Sequence, residues 1–311
     1  MVVKLRQKKW PSTAPLSDGR QMNVCRTKWR CFWVAAAFVL GSQWAMSQPP
    51  DGMALNDKVQ NDRVLNDRVP DDMVLLGSGS YAPLFIEADG SKSVDVEGYY
   101  LDRFIVTNRQ FTEFTEQNPQ WQAANIKPIF ADAQYLKLWR APHPANFDDQ
   151  PVTYVSWFAA RAYCKAQGKR LPSFNEWEYA GSASATSPNG SSEPGFSQRL
   201  LEWYSKPATL NLPSVEDTPK NYWGVYGMHG VIWELVSNFN SNLVTGESRA
   251  DSALENQLFC GAGAAGSVDP SDYAAFMRYA MRSSLEGDYT MRTLGFRCAM
   301  DIDAIQSEDQ P

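Results

Sequence analysis

Between Pro151 and Ala180 the chain reads PVTYVSWFAARAYCKAQGKRLPSFNEWEYA, and no other stretch restricts its fold as tightly. Residues 158–167 predict a short amphipathic helix, with Phe158, Ala162 and Tyr163 near one face. Gly168 stops it, because glycine enters the left-handed conformation past a helix end at little cost. Leu171-Pro172 turns the chain. Ser173 then caps a second helix running through Tyr179, and Glu176 three residues on completes a capping box. Read alone, this is a helix–turn–helix that packs into any α/β core.

The surrounding blocks narrow that reading. Asp72-Met73-Val74-Leu75 runs into a Gly77-Ser78-Gly79 turn. Tyr99 to Arg103 leads into Val106-Thr107-Asn108-Arg109-Gln110-Phe111. Gly224 to Met228 precedes Trp233-Glu234, and Arg278-Tyr279-Ala280-Met281-Arg282 precedes Leu294-Gly295-Phe296-Arg297-Cys298. With V-S-W, A-x-x-Y-C, G-K-R-L-P and E-W-E-Y of the central stretch, these blocks follow one order across residues 72–300. The set resembles the formylglycine-generating enzyme, or sulfatase-modifying factor, family. The resemblance implies an α/β (α+β) fold of C-type-lectin-like architecture: short antiparallel sheets, two packed helices and much irregular structure.

The 311 residues suit one large domain or two small ones, and abundant Trp, Gly and Pro favour a loop-rich fold over a helical bundle. The amino end reads as an address. Residues 1–30 carry eight Lys/Arg and one acid, an apolar run follows from Phe32 to Gly41, and Ala45-Met46-Ser47 offers a small-x-small cleavage site. That predicts a signal peptide over 1–47 and a periplasmic or secreted protein, with an uncleaved amino-terminal anchor as the alternative. Removing it takes the net charge from −6 to −13. No basic stripe remains to neutralise phosphates, so nucleic acid is excluded as a partner. The apolar run is also short for a membrane span. From Asn56 a five-residue period appears (NDKVQ, NDRVL, NDRVP), too polar to bury a core, and residues 48–70 read as a linker. The domain is expected over 71–302, with a flexible tail at 303–311 and an exposed polar loop from Ser182 to Pro194.

Cys25 and Cys31 fall in the predicted leader, leaving Cys164, Cys260 and Cys298. The resemblance implies a disulfide between Cys164 and Cys298. It also sets Cys260 at the first of two cysteines, five apart, whose thiolates hold one copper ion in the formylglycine-generating enzymes. Soft thiolates select Cu(I). Here the position five later is Ala265, so copper is doubtful and so is the standard two-cysteine oxidation. Two readings of Cys260 stay open: a reactive thiol in the glycine-lined segment Cys-Gly-Ala-Gly-Ala-Ala-Gly, or an inert buried one following Leu258 and Phe259.

Other site residues follow from ligand chemistry. His143 and His229 are too few and too differently placed for a three-histidine iron site. By resemblance, Gly230 and Glu234 belong to a calcium loop, since hard cations take backbone and carboxylate oxygens, although Val231 stands where the family has an amide oxygen. Alternatively Glu234 is paired with Arg282 or Arg297. Arg278 and Arg282 are one helical turn apart; they either grip a substrate carboxylate or pin Glu234 or Glu178. Trp157, Trp177, Trp223 and Trp233 read mainly as core. Cys260, Arg278 and Arg282 are the expected catalytic set, and the expected partner is a periplasmic protein or peptide substrate. Two functions remain: an exported maturation factor or oxidase, and a non-catalytic, lectin-like binding module.

Overall fold

The computed structural model describes residues 71–86, 89–140, 142–206, 211–238, 267–269 and 271–303. All lie within Gly52–Pro311, the second of two units into which the chain divides. The predicted leader and linker, Cys260, and residues 304–311 of the predicted tail fall outside the described residues.

A three-stranded antiparallel sheet organises the domain. Strand β1 (Met73–Leu76) follows the predicted opening block, and after the Gly77 turn β2 (Gly79–Tyr81) pairs with β3 (Val94–Val96). Strand β4 (Tyr99–Asp102) is central: β1 lies on one edge and the last strand, Ala299–Asp301, on the other. Every β4 side chain is buried, which explains a Tyr-Tyr-Leu-Asp run without polar alternation. Pairing Leu101 with Ala299 brings the two ends of the domain together.

Helix α1 (Asn108–Gln117) begins where Thr107 and Gln110 form a capping box. Its Phe111 and Phe114 are buried against Tyr163, with ring centroids 5.8 and 5.4 Å away. Helix α2 (Trp157–Ala166) begins one residue before the predicted start and is capped by Ser156. Its buried stripe is Ala159, Ala160, Tyr163 and Cys164, while Phe158 and Ala162 are half-buried. The predicted face is therefore turned, because Cys164 must meet Cys298. Those two sulfurs are bonded, with Cα atoms 5.6 Å apart, closing a sequence separation of 134. In the chain-entropy picture such a loop adds about 4–5 kcal/mol. Gly168 has φ +69° just past the helix, as its stop requires. Helix α3 (Phe174–Gly181) carries the predicted capping box between Ser173 and Glu176.

Besides short 3-10 turns, the described residues also form helix α4 (Phe196–Tyr204), strand β5 (Trp233–Glu234), helix α5 (Tyr273–Ser283), strand β6 (Leu294–Gly295) and strand β7 (Ala299–Asp301). The two-residue β5–β6 pairing is parallel, in contrast to the other sheets. A side chain at Gly295 would strike the Val152 carbonyl, so this close approach requires glycine. Trp177 is buried, and Trp157, Trp223 and Trp233 pack partly buried against the same core.

Two buried polar groups fasten the ends of the domain. Asp102 Oδ2 accepts from the Cys298 N–H at 2.8 Å, and Oδ1 pairs with Lys169 at 2.8 Å. Burial nevertheless pushes the Asp102 carboxyl up to about 6, with Lys169 offsetting only part of the effect. Arg297, fully buried, donates to the carbonyls of Asp102 and Tyr226 as well as to Glu234.

Candidate functional site

The E-W-E triplet of α3 divides its labour by helical geometry, since residues two apart face nearly opposite sides. Glu176 stays at the helix start, accepting from the Ser173 N–H at 2.6 Å and from both Arg170 terminal nitrogens at 2.7 Å. Glu178 turns inward and is buried. Helix α5, capped by Asp272 at the Ala275 N–H, presents Arg278 and Arg282 from one face because they are four residues apart. Both arginines are buried and both close on Glu178. Arg278 Nε lies 3.1 and 3.0 Å from the two carboxylate oxygens, and its Nη2 donates to Oε2 at 2.8 Å. Arg282 Nη1 donates to Oε1. Burial opposes the Glu178 charge, but the two guanidiniums outweigh it and hold the carboxyl at about 2.

Arg282 is further committed: its guanidinium lies 4.2 Å from the Trp177 ring centroid and 5.1 Å from that of Phe174. Arg278 is not. Its Nη1 is buried without a hydrogen-bond partner among the described residues. Beside it runs a short relay. His229 Nε2 lies 2.7 Å from the Gly181 carbonyl, which can only accept, so this nitrogen carries the hydrogen. Nδ1 then accepts from Tyr204 Oη at 2.9 Å. Burial first, and then the Arg278 charge, push His229 down to about 4, so it is neutral at pH 7. Burial pushes the Tyr204 hydroxyl up, and Arg278 offsets part of this through its charge and a hydrogen-bonding contribution.

Two cavities flank α4, which contributes Phe196 and Leu200 to both. One, of about 420 Å³, is walled largely by Phe196, Leu200, Trp203, Val225 and Met228, with His229 at its side. The other, of about 220 Å³, mixes apolar residues such as Leu84, Phe196 and Val268 with Arg278, Glu178, Asp269 and Asp272.

Of the residues expected to act, Arg278 and Arg282 are thus brought together on Glu178, and Cys260 lies outside the described residues. Glu234 pairs with Arg297: Nε donates to Oε2 and Nη2 to Oε1, both at 2.8 Å, while Trp177 Nε1 also donates to Oε2 at 2.8 Å. The guanidinium neutralises the carboxylate and takes most of its acceptor positions, so the residues present do not fit a calcium ion there. Gly230 has φ +79°, and a Cβ on it would sit 3.0 Å from Trp203, so its identity is explained by backbone conformation. Nor do the residues fit a two-thiolate copper centre. Cys164 and Cys298 are bonded to each other, and Ala265 follows Cys260 at the required spacing. His143 is exposed and stacks on Phe147 at 4.2 Å. Tyr204 is the participant that sequence reasoning missed. Its hydroxyl serves a histidine 25 residues away, and no local pattern announces that.

Residues 60–302 match the family model described as a sulfatase-modifying factor enzyme 1-like domain. The chain is 32% identical over 265 residues to the formylglycine-generating enzyme of Streptomyces coelicolor, covering 70% of this chain and 83% of that one. It is 26% identical over 264 residues to the mouse formylglycine-generating enzyme, covering 70% of each. It is also 25% identical over 273 residues to the mouse inactive C-alpha-formylglycine-generating enzyme 2, covering 71% and 81%.

Proposed function

Because the chain belongs to the sulfatase-modifying factor family, we propose that it is an exported member that binds a protein or peptide-derived substrate and acts in its maturation, by a route other than two-thiol copper oxidation. The carrying observation is the Cys164–Cys298 disulfide. It takes two of the three cysteines that follow the predicted leader and leaves Cys260 alone. A disulfide of this kind also supports export, since such bonds persist in oxidising compartments. Copper held by two thiolates would need a second free cysteine, which the segment after the predicted leader does not provide.

The test is a thiol count with a copper titration on protein isolated from an oxidising compartment. One free thiol per mature chain, removed by Cys260→Ser, and no stoichiometric Cu(I) uptake support this reading. Three free thiols, or one tightly bound copper lost in Cys260→Ser, overturn it.

The second reading, a non-catalytic binding module, is favoured by the closure of Arg282 on Glu178, Trp177 and Phe174. A mouse relative named as inactive shares the family. Cys260→Ser separates the two: loss of maturation in the native compartment with substrate binding intact supports the catalytic reading, and unchanged maturation supports the binding module.

A further inference from the structure

The cavity of about 220 Å³ beside Arg278 has a charge layout that selects its occupant. Deep in its wall, Arg278 is 7% exposed, and its Nη1 has no partner among the described residues. An unmade hydrogen bond on a buried group costs roughly 1–3 kcal/mol, and more when the group is charged, so an acceptor arriving from outside the chain stabilises this state. Two guanidiniums share one carboxylate, Glu178, which leaves a positive excess at the inner end. The outer part is the reverse. Asp269 is exposed and Asp272 half-buried, and each uses Oδ1 locally, on Ser271 and on the Ala275 N–H. Ser182, Ser191, Ser197 and Asn189 line the space between with hydroxyl and amide groups.

A simple anion would satisfy Arg278 but face both aspartates, and a simple cation would meet Arg278. A molecule carrying both charges satisfies each end. The volume lies below the range of about 300–1,000 Å³ usual for drug-sized ligands, and so suits one amino-acid-sized group.

We infer that this cavity binds a free zwitterionic amino acid, with its carboxylate on Arg278 Nη1 and its ammonium group toward Asp269 and Asp272. The site goes beyond the proposed function and does not depend on any thiol chemistry. An aldehyde-forming activity would overturn the maturation route and leave this site standing.

Calorimetric titration of the mature chain tests it with four probes: L-alanine, the tripeptide Ala-Ala-Ala, acetate and methylammonium. Saturable binding of alanine is expected, and the tripeptide, whose two charges sit on residues at opposite ends, binds at least about tenfold more weakly. Acetate and methylammonium each make half of the contacts and bind at least about tenfold more weakly. Arg278→Gln weakens the favoured probe roughly tenfold to a hundredfold, the size of a lost charge-assisted hydrogen bond. Because that variant disturbs Glu178, Ala275→Leu serves as the second. Ala275 lines the cavity outside the arginine network, so this change fills the space and abolishes binding without lowering the melting temperature. The inference is overturned if alanine does not bind saturably, if the tripeptide or either single-charge probe matches it, or if Ala275→Leu binds as the wild type does.

Discussion

Arg278 grips Glu178 from a helix 100 residues further along the chain, using Nε and Nη2 and leaving Nη1 without a hydrogen-bond partner among the described residues. With Arg282 on the same carboxylate, the pairing joins α3 to α5 and places a positive excess beside the cavity of about 220 Å³.

The first prediction concerns this network. Glu178→Gln leaves two buried guanidiniums without a counter-charge, and breaking a buried pair in this way typically costs about 3–5 kcal/mol. Arg282→Met removes the excess charge and keeps the Arg278–Glu178 pair neutral. Urea denaturation is expected to show Glu178→Gln as the more damaging change by at least about 1–2 kcal/mol. Equal losses would mean that the charge balance does not govern the site.

The disulfide gives a second. Cys298→Ala frees a loop of 134 residues' separation and is expected to lower stability by about 2–5 kcal/mol, read from the denaturation midpoint. A change below about 1 kcal/mol would show that the β4–β7 pairing holds the ends without it.

A third follows from proton linkage. His229 titrates at about 4 in the fold and at 6.5 ordinarily, because burial and then Arg278 disfavour its charge. The unfolded chain therefore takes up the proton first. The stability lent by the neutral imidazole is whole above pH 6.5 and is lost as the pH falls toward 4. Asp102, raised by burial from 3.8 to about 6, works oppositely: its contribution is whole below 3.8 and is lost as the pH rises through 6. Glu178, lowered from 4.5 to about 2, loses its contribution as the pH falls from 4.5 toward 2. The stability advantage of wild type over His229→Gln is accordingly expected to shrink between pH 6.5 and 4. The advantage over Asp102→Asn is expected to grow across the same interval. An advantage over His229→Gln that is independent of pH would show the imidazole to be solvated.

The fourth concerns Glu234. With Arg297 and Trp177 on its oxygens, chelation by EGTA is expected to leave the melting temperature unchanged. A fall in melting temperature, restored by added calcium, would place a structural cation elsewhere in the chain.

What was legible in the sequence was mostly local. The capping box at Ser173–Glu176 depends only on residues three apart, and Gly168 marks a stop that its own φ explains. The helix faces were less legible. The buried stripe of α2 is set by Cys164 having to meet Cys298, a constraint from 134 residues away. The Glu234 partner was open between Arg282 and Arg297 until the β5–β6 register set Glu234 opposite Gly295, two residues before Arg297. Glu178 and Tyr204 owe their roles to α5 and to His229, and no periodicity in α3 or α4 reveals such contacts.

The central claim is that this family scaffold acts on its substrate without the two-thiol copper reaction. The most direct measurement is mass spectrometry of a Cys-X-Pro-X-Arg peptide after incubation with the mature chain, Cu(I) and oxygen. The account predicts that the peptide cysteine is recovered without conversion to an aldehyde. Catalytic formation of formylglycine by the wild type, abolished in Cys260→Ser, would contradict it.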